Sequence, residues 1–282
     1  MLVRAAIPIL LSLFAALPGA ARAAERWQQL PPTPSLPEGG RSGYAPVNGV
    51  RLFYAIYGHG APVILLHGGL ANANYWGNQI RGLEGRYEVI VMDSRGHGRS
   101  SRNAAPYSYD LMASDVLALM DYLHVKKAAV VGWSDGGIIA LDLAIAHPER
   151  LTKIFAFAAN YNPSGVKPNL ESDPVFGAFI ARAGIEYRRL SPTPAQYNAF
   201  LNQISKMWAT QPNWTAAQLR SIRVTTEIAD GDHDEAIKRS QTEELAALIP
   251  GAGLLIQPGV SHFSFIQAPV QFNEDVLDFL SR

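Results

Sequence analysis

Short apolar runs recur along the chain, and each is followed by a stretch with helical spacing. The runs are Pro62–Leu66, Tyr87–Met92, Ala128–Trp133, Thr152–Ala158, Ile222–Ala229 and Gly253–Gln257. They are apolar throughout rather than alternating, the pattern of strands buried on both faces. Helices are predicted near 74–84, 109–123, 135–147, 234–249 and 269–281. In the second of these, Met112, Val116, Leu119, Met120 and Leu123 fall on one face. Ahead of the first run, Val47 to Tyr57 alternates and carries Asn48-Gly49, a signal for a tight hairpin. Buried strands alternating with helices predict an α/β fold with a mostly parallel central sheet and helices on both faces.

One interval breaks the alternation. From 161 to 220 there is no strand pattern, only helical patterns near 173–190, 193–210 and 214–221 punctuated by prolines. That is too long for an ordinary connection. It predicts a helical cap over the carboxyl edge of the sheet, where such sheets bind ligands. The cap divides the core into 44–160 and 221–282. Residues 24–43 contain Pro31, Pro32, Pro34 and Pro37 followed by Gly39-Gly40, which predicts a tether or irregular strap. Residues 1–23 have the form of an export signal. Arg4 precedes a nearly unbroken apolar stretch, and Ala21-Arg22-Ala23 offers a cleavage site after Ala23. The apolar stretch is short for a bilayer span. The expected product is exported, periplasmic or secreted if the host is bacterial, with no stable membrane span; an uncleaved anchor is the alternative.

Composition narrows the chemistry. The chain of 282 residues is 48% hydrophobic, with 24 basic and 24 acidic side chains. Without Arg4 and Arg22 of the leader, 22 basic residues face 24 acidic ones, a net of −2. No basic stripe is present, which excludes nucleic acid as a natural partner. There is no cysteine, hence no disulfide, thiol nucleophile or thiolate metal site.

Gly132-Trp133-Ser134-Asp135-Gly136 joins the run ending at Trp133 to the helix beginning near 135. A serine flanked by glycines on a strand-to-helix turn is an exposed, strained nucleophile. It needs a base and an acid to orient the base. Of the seven histidines, His262 lies just after the last strand, in Pro258-Gly259-Val260-Ser261-His262-Phe263, on a turn facing the same sheet edge. Acid candidates cluster after the preceding strand, in Asp230-Gly231-Asp232-His233-Asp234. The chain order is serine, acid, histidine.

With that order the sequence resembles the α/β-hydrolase superfamily over residues 44–282. His67-Gly68-Gly69-Leu70 is similar to its oxyanion segment, and Asp93-Ser94-Arg95-Gly96-His97-Gly98-Arg99-Ser100 to its D-x-R-G-x-G-x-S loop. Gly231-Asp232-His233-Asp234 resembles the G-x-x-D turn, which implies Asp234 as the acid. The Gly-Trp-Ser-Asp-Gly-Gly elbow is similar to that of the biphenyl-hydrolase-like esterases. The resemblance implies a serine hydrolase. Ser134 would be nucleophile, His262 base and Asp234 orienting acid, with backbone N–H groups of Gly69 and Asp135 holding the oxyanion. Gly69, lacking a side chain, would leave room for substrate. Asp135, Leu70, Trp133 and Phe263 are the expected substrate contacts.

The implied substrate is a small carboxylic ester or lactone, and no cofactor or metal is required. Aminopeptidase or amidase, carbon–carbon hydrolase and perhydrolase chemistry would use the same residues. A ligand receptor or sensor on the same fold is the rival from another class. Asp135 has two readings, a solvated acid at a helix start or a partner for a substrate ammonium. Asp232 with Glu235 resembles a helix-capping pair. The Asp230-x-Asp232-x-Asp234 run fails as a calcium loop, with Glu235 in place of the turn glycine and Gln241 in place of the final glutamate. His67 and His97 are expected to do structural work. Most cap aromatics, among them Phe176, Phe179, Tyr187, Tyr197, Phe200 and Trp208, are expected to fill the cap's own core, a minority to line a pocket.

Overall fold

The computed structural model describes residues 24–282; the expected leader, residues 1–23, lies outside the described residues. The strands are β1 (Arg41–Val47), β2 (Val50–Gly58), β3 (Ala61–Leu66), β4 (Tyr87–Met92), β5 (Ala128–Trp133), β6 (Leu151–Phe157), β7 (Thr225–Gly231) and β8 (Gly253–Gln257). They form one sheet in the order β1-β2-β4-β3-β5-β6-β7-β8. The β1–β2 and β2–β4 pairings are antiparallel and the rest parallel. The hairpin turns at Asn48 and Gly49, both at positive φ (47° and 72°), which matches the twist of the flanking strands.

The helices are α1 (Gly77–Leu83), α2 (Tyr109–Tyr122), α3 (Asp135–Ala146), α4 (Pro174–Leu190), α5 (Tyr197–Trp208), α6 (Ala216–Ser221), α7 (Arg239–Leu248), α8 (Ser264–Gln267) and α9 (Pro269–Ser281). Every residue of β5 is buried, and α3 is buried from Asp135 through Ala144, so this strand and helix run through the centre of the molecule. Burial on all sides explains why α3 is apolar around its circumference instead of striped.

Helices α4, α5 and α6 lie between β6 and β7, where the strand pattern lapses. The cap is joined to the body by aromatic packing. Phe200 of α5 stacks on Tyr187 of α4 at 5.2 Å and meets the edge of His97 from the core at 4.7 Å. Phe200 is 1% exposed, so truncating it to alanine would cost about 3–5 kcal/mol.

Residues 24–40 form a strap, anchored at several points between Trp27 and Thr33. Trp27 stacks on His233 at 4.3 Å. Gln267 donates to the carbonyl of Gln29 at 2.8 Å, Arg182 of α4 donates to those of Leu30 and Pro31, and Thr33 donates to Glu186 at 2.6 Å. The expected boundary at residue 43 is displaced, because β1 already begins at Arg41. Helix α7 also begins later than its pattern suggested. Residues 234–238 have their backbone engaged elsewhere, as described next.

Candidate active site

The turn between β5 and α3 dictates its own sequence. Ser134 has φ 54° and ψ −119°, outside every region an L residue favours, at a cost of about 1–3 kcal/mol. Its N–H donates to the Phe157 carbonyl at 2.8 Å. A Cβ at position 132 would stand 2.2 Å from the Gly136 carbonyl oxygen, and one at 136 would stand 2.0 Å from the Leu66 carbonyl oxygen. Both glycines are therefore required by close backbone passage.

The two loops after β7 and β8 are zipped together by main-chain bonds from Asp232 N–H to Gln257 and from His233 N–H to Val260, each 3.0 Å. This places His262 Nδ1 2.7 Å from Asp234 Oδ2, with both side chains buried. The other carboxylate oxygen accepts the N–H groups of Ala236 and Ile237 at 2.6 and 2.7 Å. Burial works against the Asp234 charge, but the His262 partner and these donors outweigh it and hold the carboxyl below the usual carboxylate range. Burial likewise opposes the imidazolium, yet the Asp234 charge prevails and raises the pKa of His262 above 6.5. An ionised carboxylate only accepts, so the neutral imidazole carries its proton on Nδ1 and leaves Nε2 free to take one.

Ser134 and His262 line one cavity of about 430 Å³ beneath the cap. Among the described residues no hydrogen bond joins the serine hydroxyl to the imidazole. Gly69, Leu70, Trp133 and Asp135 also line this cavity, with Phe176, Phe179 and Ile180 from α4 and Leu201 and Trp208 from α5 facing them. The loop holding Gly69 is braced from below. Asp93 accepts the Ala73 and Arg99 N–H groups at 2.7 Å each, and Arg95 forms a buried two-pronged pair with Asp115 at 2.5 and 2.6 Å. Removing one partner of such a pair costs about 3–5 kcal/mol. His67 accepts the Ser94 N–H at 3.0 Å through Nε2. Burial lowers the pKa of His67 and takes that of His97 to about 3, so both stay neutral and structural.

Residues 61–182 match the α/β hydrolase fold family. A putative carbamate hydrolase, RutD, of Azorhizobium caulinodans is 40% identical over 261 residues, covering 84% of this chain and 97% of that protein. This chain belongs to the α/β-hydrolase family. Among solved structures, the hydrolase is similar to the meta-cleavage product hydrolase of Pseudomonas fluorescens IP01, with a TM-score of 0.74 at 25% identity over 86% of this chain and 97% of that one. It is also similar to Est816, described as an N-acyl homoserine lactone degrading enzyme, with a TM-score of 0.66 at 27% identity over 84% of this chain and 100% of that one.

Four features of the hydrolase's site differ from the sequence expectations. Asp135 is not solvated: it is 5% exposed, and its carboxylate accepts the Tyr109 hydroxyl at 2.8 Å and the Trp208 indole N–H at 3.0 Å. Burial pushes its pKa to about 6 against the pull of those two donors. The missing side chain of Gly69 makes room for these groups, since a Cβ there would stand 2.4 Å from the Trp208 ring and 2.8 Å from Asp135 Oδ2. Phe263 does not line the cavity. It is fully buried behind it, 5.6 Å from the Trp133 ring and 5.0 Å from Phe179. Asp232 caps no helix, because α7 starts at Arg239; its carboxylate accepts the Val260 N–H at 3.3 Å.

The spacing of Glu235 suggests the capping pair, but its carboxylate works elsewhere. Its carboxylate accepts the backbone N–H of His262 at 3.0 Å and the Ser261 hydroxyl at 3.3 Å, so it fixes the histidine loop from the side opposite Asp234. Burial and the neighbouring Asp234 charge push its pKa to about 7. Behind it Asp230, buried and accepting from Thr242 at 2.6 Å, has its pKa raised by burial and by Asp234. The presence of several carboxylates within six residues was the available signal. Their division of labour depends on partners 12 to 28 residues away.

Proposed function

We propose that this hydrolase cleaves small carboxylic esters or lactones through Ser134, His262 and Asp234. The observation that carries the reading is the buried 2.7 Å His262–Asp234 pair opening on the same cavity as the strained Ser134 turn. His262 Nε2 takes the hydroxyl proton as Ser134 Oγ bonds to the acyl carbon. The carbonyl electron pair moves to oxygen, where the N–H groups of Asp135 and Gly69 receive it; each such donor is worth on the order of 10²–10³ in rate. The electron pair returns, the bond to the alcohol oxygen breaks, and the imidazolium gives the alcohol its proton. Water, deprotonated by the same imidazole, then releases the acid from Ser134. Asp234 keeps the proton on Nδ1 and balances the transient charge.

The apolar cap wall supports an acyl pocket for esters and lactones. The 40% identical putative carbamate hydrolase carries a second reading, cleavage of a carbamate by the same residues. A panel of p-nitrophenyl esters, lactones, amides and carbamates, with Ser134→Ala as the blank, separates the two. Ester turnover that survives in Ser134→Ala overturns the mechanism. Turnover confined to carbamates selects the second reading. We also assign residues 1–23 as an export leader, which N-terminal sequencing of the secreted protein checks.

A further inference from the structure

The cavity is lined with acid and with no lysine or arginine to balance it. Asp135 sits at its inner end beside Trp208, Glu171 lies at its exposed margin, and neither lysine nor arginine is among the lining residues. His262 is the group there able to become a cation, and Asp234 at 2.7 Å already matches that charge.

Lys167 and Arg182 are committed to other work, and Lys206, next to Ser205 on α5, is exposed and is not among the lining residues. Lys167 follows the lining residue Val166 in sequence, but its ammonium donates to the Asp234 carbonyl oxygen and borders a neighbouring cavity. Arg182 shares α4 with Phe179 and Ile180, and its guanidinium donates to the strap carbonyls of Leu30 and Pro31. Neutral polar groups are available instead. Asn202 and Ser205 of α5 line the cavity, and among the described residues their side chains make no hydrogen bond.

We propose, resting on the serine-hydrolase reading above, that this cavity selects substrates by charge. It accepts acyl groups with an uncharged apolar body and a neutral polar group that meets Asn202 and Ser205, and it rejects acyl groups bearing a carboxylate. A carboxylate entering the cavity exchanges water for an apolar wall with no counter-ion, and meets Glu171 and Asp135 besides. Rejection therefore comes from what the wall lacks as much as from what it presents. The preference holds at the acyl end; the alcohol leaving group is not constrained by it.

The test is a matched pair of six-carbon esters at pH 8, p-nitrophenyl hexanoate and the mono-p-nitrophenyl ester of adipic acid, each corrected with Ser134→Ala. We expect kcat/KM for the adipate to be at least about 100-fold lower, the discrimination that a missing counter-ion gives. Ser205→Arg, on an exposed stretch of α5, should raise adipate turnover at least about tenfold and leave hexanoate no better, by supplying the absent charge. Rates within about threefold of each other overturn the proposal. So does a Ser205→Arg variant that remains folded and improves neither ester. If neither ester turns over in the native enzyme, the ester reading fails and the charge preference is decided by binding. Tryptophan fluorescence of Ser134→Ala is then titrated with hexanamide and with the monoamide of adipic acid. Tighter binding of hexanamide supports the charge selection, and equal or reversed affinities overturn it.

Discussion

The two halves of the cavity are built by different means. On the core side Ser134, Asp234 and His262 are positioned largely through main-chain groups. The Ser134 turn is fixed by two glycines and a bond to Phe157, Asp234 by two backbone N–H groups, and His262 by the zipped loops and by Glu235. On the cap side the wall is made of side chains from α4 and α5, whose packing is aromatic and apolar. Polar ties join the halves at several points, among them Lys167 to the Asp234 carbonyl and the Tyr109 N–H to Gln211. Trp208 donates to Asp135, Asn72 of the core donates to Glu186 of α4 at 2.9 Å, and a bridge joins Val166 to Ile237. Backbone geometry tolerates little variation, whereas an apolar wall can be repacked without losing the fold. On the proposed mechanism the core half would hold the reaction and the cap half the choice of substrate.

Single substitutions test that division. Ser134→Ala should abolish turnover of every substrate alike, by about 10⁴-fold or more; a loss limited to some substrates would place selectivity on the core side. Asp234→Asn should lower kcat by about 10³–10⁴-fold. It also has a pH signature. The proposed mechanism requires neutral His262, and the folded pKa of that group is raised above 6.5 because the Asp234 charge overcomes burial. Native kcat/KM should therefore fall as pH drops through a midpoint above 6.5, and the residual activity of Asp234→Asn should show that limb at lower pH. A limb that stays in place assigns it to another group.

Asp135 belongs to the core and touches the cap, so its effect is intermediate. Burial raises its pKa from 3.8 to about 6, a difference equivalent to ~3 kcal/mol between ionised and neutral forms. The folded state binds this proton more readily than the unfolded state. Its contribution is intact below about pH 4 and is lost as the pH rises through about 6. The stability of Asp135→Asn relative to the native protein should improve by up to ~3 kcal/mol between pH 4 and pH 8, read from urea titrations; a constant difference would mean the carboxylate is not desolvated. Trp208→Ala, on the cap side, should have the smallest effect on rate. We expect at least about a tenfold shift in the ratio of long-chain to short-chain ester turnover, since a single methylene of pocket fit is already worth that much. Equal loss on both esters would make Trp208 part of the reaction machinery.

The sequence is most legible where structure is local. The bounds of β4, β5 and β8 follow directly from apolar runs, and the hairpin from Asn48-Gly49, because strand burial and turn chemistry are written in adjacent residues. Chain order and turn position also point to His262 and Asp234 as neighbours, and the structure pairs them. What escaped depends on distant partners. The environment of Asp135 comes from Tyr109 and Trp208, 26 and 73 residues away, and no local pattern announces either. Glu235 resembled a cap residue because its spacing from Asp232 is right. The backbone there is instead drawn into the Asp234 turn and into the bonds of Lys167 and Lys238 with Ala236 and Gly165, so the helix waits until Arg239. A proline-rich composition pointed to an irregular segment without telling a loose tether from an anchored strap.

That strap bears on the order in which the molecule is assembled. Its hydrogen bonds to Arg182 and Gln267 close loops of 151 and 238 residues, among the longest in the protein. Contacts so remote in sequence form slowly and late, since their closing entropy is recovered only after the docking surfaces exist. Its surfaces belong to α4, to the loop carrying His233 and to the last residue of α8. Among the described residues, the earliest part of the chain to be synthesised is therefore expected to take its place late, and loss of the C-terminal elements would remove its Gln267 anchor while leaving those on α4.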